Sequence, residues 1–342
     1  MGKNYYNVDF SFSFLLIIMF GLSCTGTDEK ITNPPITESN PTNVTVGNAL
    51  SIREKMIKHF PNQLLYYIYV DHEQCFFEIL VNDIPAFQYF QEGGIMSPIN
   101  LNNYIAKSGK QKITYRLYPQ TEREQGEGFK ELTPYTRFKL TLFSRDHLDT
   151  VGGFDHQVQL LDHANLKKED GKTFVAAGLP FYEYTLTFDA MVPYEIPALA
   201  NAQDLSKLPK DELEKKTLVA YNYFRELIEN KNKDTYSALV FNSDVRQIIS
   251  QYQDENNIRE NGDEDMFYFD NPTFKVEPIK DYTLKLYGDG KLVCLEQSSL
   301  DLRLRGGSAI WGKYKGDKGG TFARFLSLYL YIPKGKDSFE IW

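Results

Sequence analysis

"QLLYYIYVDHEQCFFEILVNDIPAFQYF", residues 63–90, decides the fold class of the first half of the chain. Aromatic and branched aliphatic residues crowd it, and such side chains suit a pleated, half-buried surface. The runs 63–72, 74–81 and 86–90 each have the length of a strand, and the turn cluster Asn82-Asp83-Ile84-Pro85 separates the last two. Antiparallel strands joined by tight connections are expected.

The pattern continues outward. "TRFKLTLFSRD" (136–146) alternates, with Phe138, Leu140 and Leu142 on one face. Gln111–Leu117, "TFVAAG" (173–178) and "FYEYTLTFDAMVPYEI" (181–196) read as further strands, and a short helix with Ile52, Met56 and Phe60 in register leads in. Residues 49–200 are expected to form an all-β sandwich, jelly-roll or Ig-like in type.

Composition changes abruptly at "PALANAQDLSKLPKDELEKK" (197–216), which marks a domain boundary. Pro209 fits the start of a helix, followed by Asp211 and Glu212 near its positive end. Leu213, Thr217, Ala220, Tyr221, Phe224, Leu227 and Ile228 then form one helical stripe. A second helix is expected after it, with Asp234 as its cap and Leu239, Val245, Ile248, Ile249 and Tyr252 on its buried face. "QDENNIRENGDED" (253–265) reads as an acidic loop, and strands with glycine turns follow, including the hairpin turn "GDGK" (288–291). Residues 201–342 are therefore expected to be an α+β domain, two helices followed by an antiparallel sheet.

The N-terminus is of another kind. The apolar run Phe10–Ser23 is shorter than the roughly 20 residues that span a bilayer. It follows a short head carrying Lys3 and ends at "GLSC". That layout is a secretory signal. Ending at Cys24, it resembles the lipobox of bacterial lipoproteins, with Ser23 the small residue before the cysteine and Gly21 a departure from the usual leucine. The resemblance implies a signal peptide at 1–23, lipid attachment at Cys24 and a membrane anchor in the cell envelope. Residues 24–48 are polar, rich in Thr, Asn and Pro, and read as a disordered tether. Asp28 and Glu29 resemble the surface-export signals of lipoproteins in the Bacteroidetes. The expected location is the bacterial outer membrane, facing periplasm or cell surface.

A second resemblance lies within the first half. "ILVND" (79–83), "NLNNYI" (100–105) and "SGKQKITYRL" (108–117) are similar in order to the accessory jelly roll of the galactose-binding-like superfamily. Here Asp83 stands where that pattern has glycine, and Gly109 can take the positive φ that opens a strand. The resemblance implies a fold and no catalytic residue.

The net charge of −8 argues against a nucleic-acid partner. Cys75 and Cys294 are far apart and expected to be buried free thiols, and no Cys/His pattern signals structural zinc. The 23 Tyr and 24 Phe follow from strand propensity without requiring any ligand. No phosphate loop or hydrolase nucleophile motif occurs and no cofactor is called for. One stretch could ligate a metal: 145–170 holds His147, His156 and His163 beside Asp146, Asp149, Asp155 and Asp162, donors that suit zinc or another divalent ion. Two functions follow. The first is a non-enzymatic, lipid-anchored envelope protein binding another protein or a glycan through its two domains. The alternative is an extracytoplasmic hydrolase with its site near 146–163.

Overall fold

A computed structural model describes residues 6–7, 34–38, 43–122, 127–299, 301–316 and 318–342. Residues 8–33, with Cys24 and nearly all of the signal peptide, lie outside the described residues. The elements in chain order are β1 (Tyr6–Asn7), α1 (Ala49–Glu54), β2 (Leu64–Glu73), β3 (Cys75–Val81), β4 (Ile84–Tyr89), β5 (Ile99–Asn100), β6 (Gly109–Pro119), β7 (Arg137–Asp146), β8 (Val158–Ala164) and β9 (Tyr182–Ala190). Then come α2 (Lys210–Glu229), α3 (Lys233–Ser250), α4 (Glu255–Asp265), α5 (Phe267–Asp270), β10 (Lys275–Val276), β11 (Tyr282–Tyr287), β12 (Leu292–Gln297), β13 (Trp311–Lys315), β14 (Thr321–Phe325), β15 (Leu330–Tyr331) and β16 (Glu340–Ile341). All strand pairings within the four sheets are antiparallel.

The first half is all β. One sheet has the order β5-β2-β7-β8 and the other β4-β3-β6-β9. The chain crosses between them at Gln74, whose φ of 57° makes the corner in one residue. The sheets pack through Phe138, which meets Phe77 at 5.2 Å and Tyr115 at 4.5 Å between ring centroids. The expected face of β7, Phe138, Leu140 and Leu142, is fully buried. Asn82 and Asp83 turn the β3–β4 hairpin with φ of 52° and 62°, the left-handed pair that such a turn requires. "TFVAAG" is a turn rather than a strand, with Phe174 as its buried anchor.

In the second half, α2 buries the expected stripe, Leu213 through Ile228. Tyr221 fixes it to the sheet: its hydroxyl accepts from the Leu295 N–H at 2.9 Å and donates to the Leu328 carbonyl. Two small sheets follow instead of one, β1-β14-β13-β10 and β11-β12-β15-β16. The "GDGK" turn joins β11 to β12, with Gly288, Asp289 and Gly290 all at positive φ. The cap of α3 is Asn232, which accepts from the Thr235 N–H, while Asp234 accepts from the Val46 N–H. The acidic stretch 255–265 is helix, not loop. Asp254 and Asn257 form a reciprocal capping box, and Ile258 is buried.

Residues 34–38, inside the expected tether, are docked. Ile36 pairs with Phe339 and is 1% exposed within the core of the second half. Leu80 and Ile84 from the first half enter that same core, and Tyr252 at the end of α3 enters the core of the first. The turns also meet: the Asp83 carbonyl accepts from Gly288 and its carboxylate from the Asp289 N–H, both at 2.9 Å. Among the described residues no helix is long and apolar enough to cross a membrane.

Candidate ligand-binding cleft

A cleft of about 720 Å³ opens where β4, the end of α3, the loop 303–308 and the C-terminus meet. Its position follows from the outer face of the β4-β3-β6-β9 sheet. The inner face carries Phe77, Phe87 and Tyr89 stacked on one another. Alternation puts Glu78, Gln88 and Phe90 on the other side, toward the second half.

The cleft is rich in arginine. Arg246, on α3, lies 3.6 Å above the centre of the Trp342 ring. One of its terminal nitrogens reaches the Ser243 hydroxyl at 3.4 Å, and its Nε is buried with no hydrogen-bond partner. Its helical neighbour Asp244 pairs with Arg53 and supports the Arg246 charge only at longer range. Burial disfavours the charge of Arg246 and brings its pKa down to about 10. Arg305 lies over Phe90 at 4.4 Å and Tyr118 at 5.0 Å. Among the described residues neither Arg246 nor Arg305 has a carboxylate within ion-pair distance. By contrast Arg303 is paired with Asp301 at 2.6 Å. Arg324 covers Phe267 at 4.1 Å and donates to the Glu264 carbonyl. A guanidinium left without an anion in a partly dry cleft is costly, and its planar fork is made for carboxylate or phosphate.

Glu296 closes the inner end. It is 7% exposed, accepts from the Tyr287 hydroxyl at 2.7 Å, and burial pushes its carboxyl up to about 7. Cys294 beside it is also buried, and burial drives its thiol well above the ordinary value. Cys75 is pushed up to about 12 for the same reason. Both cysteines are free and buried, as the sequence predicts, and neither has the thiolate character of a nucleophile.

The His/Asp stretch is not gathered into one site. The His147 ring stacks on Tyr252 at 6.3 Å, and burial lowers its pKa. His163, on β8, contacts the Tyr115 hydroxyl at 3.0 Å and stacks on Tyr184. Asp162, next to it and so on the opposite face, accepts from Thr141 and pairs with Lys139. Asp146 holds the Leu148 N–H, and Asp155 is exposed in a single turn at 153–156. Only Asp149 and His156 are brought together, at 2.6 Å on the surface, where Asp149 also accepts from the Gly152 N–H. Among the described residues no group of three or more His, Cys, Asp or Glu side chains could hold a metal ion.

The cleft residues escape sequence reading because they come from many segments distant in the chain. One local signal exists: "RLRGG" (303–307) places Arg305 just before Gly306. Gly306 has φ of 70°, and a Cβ there would fall 2.5 Å from the Gln88 side chain, so glycine lets the loop close on β4. No family model, curated protein or solved structure matches this chain.

Proposed function

We propose that this chain is a non-enzymatic, lipid-anchored cell-envelope protein that binds its ligand in the cleft between two domains. The first domain is the β-sandwich of 49–200, of jelly-roll or Ig-like class, and the second the α+β body of 201–342. Cys24 carries the lipid at the outer membrane, and β1 leaves with the signal peptide. The observation that supports binding is Arg246, a cation stacked on Trp342 with an unpartnered buried Nε in a cleft lined by both halves. A partly buried cation whose Nε has no partner is a standing cost, and an anionic ligand removes it.

Two readouts test this on the full chain in a Gram-negative host. Wild type is expected in the membrane fraction with radioactive palmitate incorporated, and Cys24→Ser is expected in the soluble fraction without it. The soluble variant, titrated against panels of acidic and neutral oligosaccharides and peptides, is expected to bind saturably, with binding lost in Arg246→Gln. Palmitate retained by Cys24→Ser overturns the anchor, and saturable binding indifferent to Arg246 overturns the cleft.

A further inference from the structure

The cleft runs along a free sheet edge. β4 is the terminal strand of its sheet and, among the described residues, is paired only to β3. Among the described residues, no backbone group of Ala86–Phe90 bonds to another backbone group outside that ladder. One side-chain contact reaches it, from the Tyr104 hydroxyl to the Ala86 carbonyl at 3.5 Å. Pro85, which has no N–H to offer, precedes the open stretch. The two unpaired guanidiniums line the same cleft, and the open stretch has Ala86 and Phe90 as its ends. Arg305 covers Phe90, and Arg246 lies on α3 one turn before Ser250, whose hydroxyl donates to the Asn103 side chain at 2.9 Å, next to Tyr104. Four residues of strand separate the ends, roughly 13 Å.

We infer that the cleft takes an extended acidic peptide, added as a strand to the edge of β4, with carboxylates at positions i and i+4 meeting Arg246 and Arg305. This rests on the reading of the cleft as a ligand site. An added strand uses the open backbone groups of β4. Its residues i and i+4 lie on one face at the same roughly 13 Å spacing. A sugar chain fits less well, because it would need bare aromatic faces. Phe90 and Trp342 are 6% and 7% exposed and already covered by the two guanidiniums.

The probe is Ac-Thr-Glu-Thr-Thr-Thr-Glu-Thr-NH2, titrated calorimetrically into the full chain at low salt. Binding is expected, weakened about tenfold by changing either Glu to Gln or by Arg246→Gln or Arg305→Gln, the loss of one charge-assisted pair. Arg246→Lys, which keeps the charge, is expected to retain part of the affinity, and melting curves check that each variant is folded. Methylating the peptide nitrogens on one strand edge is expected to abolish binding. Affinity indifferent to methylation overturns strand addition. Binding of polygalacturonate but not of the peptide overturns the peptide and leaves the cleft a ligand site. Binding of neither removes both.

Discussion

Glu296 holds a carboxyl where water hardly reaches, and its protonation sets a pH dependence. Burial raises its pKa to about 7 from the ordinary 4.5; the Tyr287 hydrogen bond, which favours the anion, offsets only part of this. Glu78 opposes the anion and Lys285 supports it. The folded state therefore holds the proton more tightly than the unfolded chain. Its stabilising contribution is complete below about pH 4.5, falls as pH rises toward 7, and is flat above. The whole loss corresponds to roughly 3 kcal/mol. Glu296→Gln keeps an acceptor for Tyr287 and cannot titrate. Urea unfolding of both proteins from pH 4.5 to 8 is expected to show wild type losing about that much relative to the variant. Parallel curves would show that Glu296 is ionised throughout. Nothing in the sequence marks this residue: "VCLEQ" reads as an ordinary strand end, and only the packing of Tyr287 and Tyr329 around it makes the carboxyl unusual.

Elements were legible where periodicity is local. The stripe of α2 and the alternation of β7 each fix a buried face from a few consecutive residues, and that face survives whatever it packs against. Some backbone pairing was hidden because side chains supply it. Asn165 accepts from the Phe138 N–H and donates to the Thr136 carbonyl, both at 3.0 Å, so its amide extends the ladder where no strand does. Asn102 does the same for Tyr66 and Leu64 on β2. Helix α4 was obscured by its acidity, which suggests a solvated loop, although the spacing of Asp254 and Asn257 is a capping signal. It runs against α1, where Arg259 pairs with Glu54 at 2.9 Å. Asp254→Ala removes the oxygen that holds the Asn257 N–H and is expected to cost about 1 kcal/mol. Hydrogen exchange should place the loss in the first turn of α4. Unchanged protection there would mean that the packing of Ile258 alone holds the helix.

At the scale of the whole molecule, the composition break near residue 200 separates an all-β half from a mixed one, but the cleft between them exists only once they dock. Side chains cross that seam both ways, so each half completes the other's core. A third piece of chain joins in. Thr37 donates its N–H to the Phe339 carbonyl at 2.8 Å, Phe339 returns the bond to Pro35 at 3.1 Å, and Ile36 fills the space between. Low hydrophobicity made 24–48 read as tether throughout, because two buried side chains eight residues apart, Ile36 and Val44, leave no periodic trace in a polar segment. Ile36→Ala is a direct test. A docked side chain of that size is expected to cost about 2–5 kcal/mol on removal, whereas a change in a free tether stays within about 0.5 kcal/mol. Chemical denaturation of the full chain distinguishes the two. The docked outcome has a further consequence if Cys24 carries lipid as proposed. Nine residues then lie between the anchor and Pro34, ten steps spanning at most about 35 Å of chain, so the docked segment ties the folded body close to the membrane and leaves it a short range of orientations.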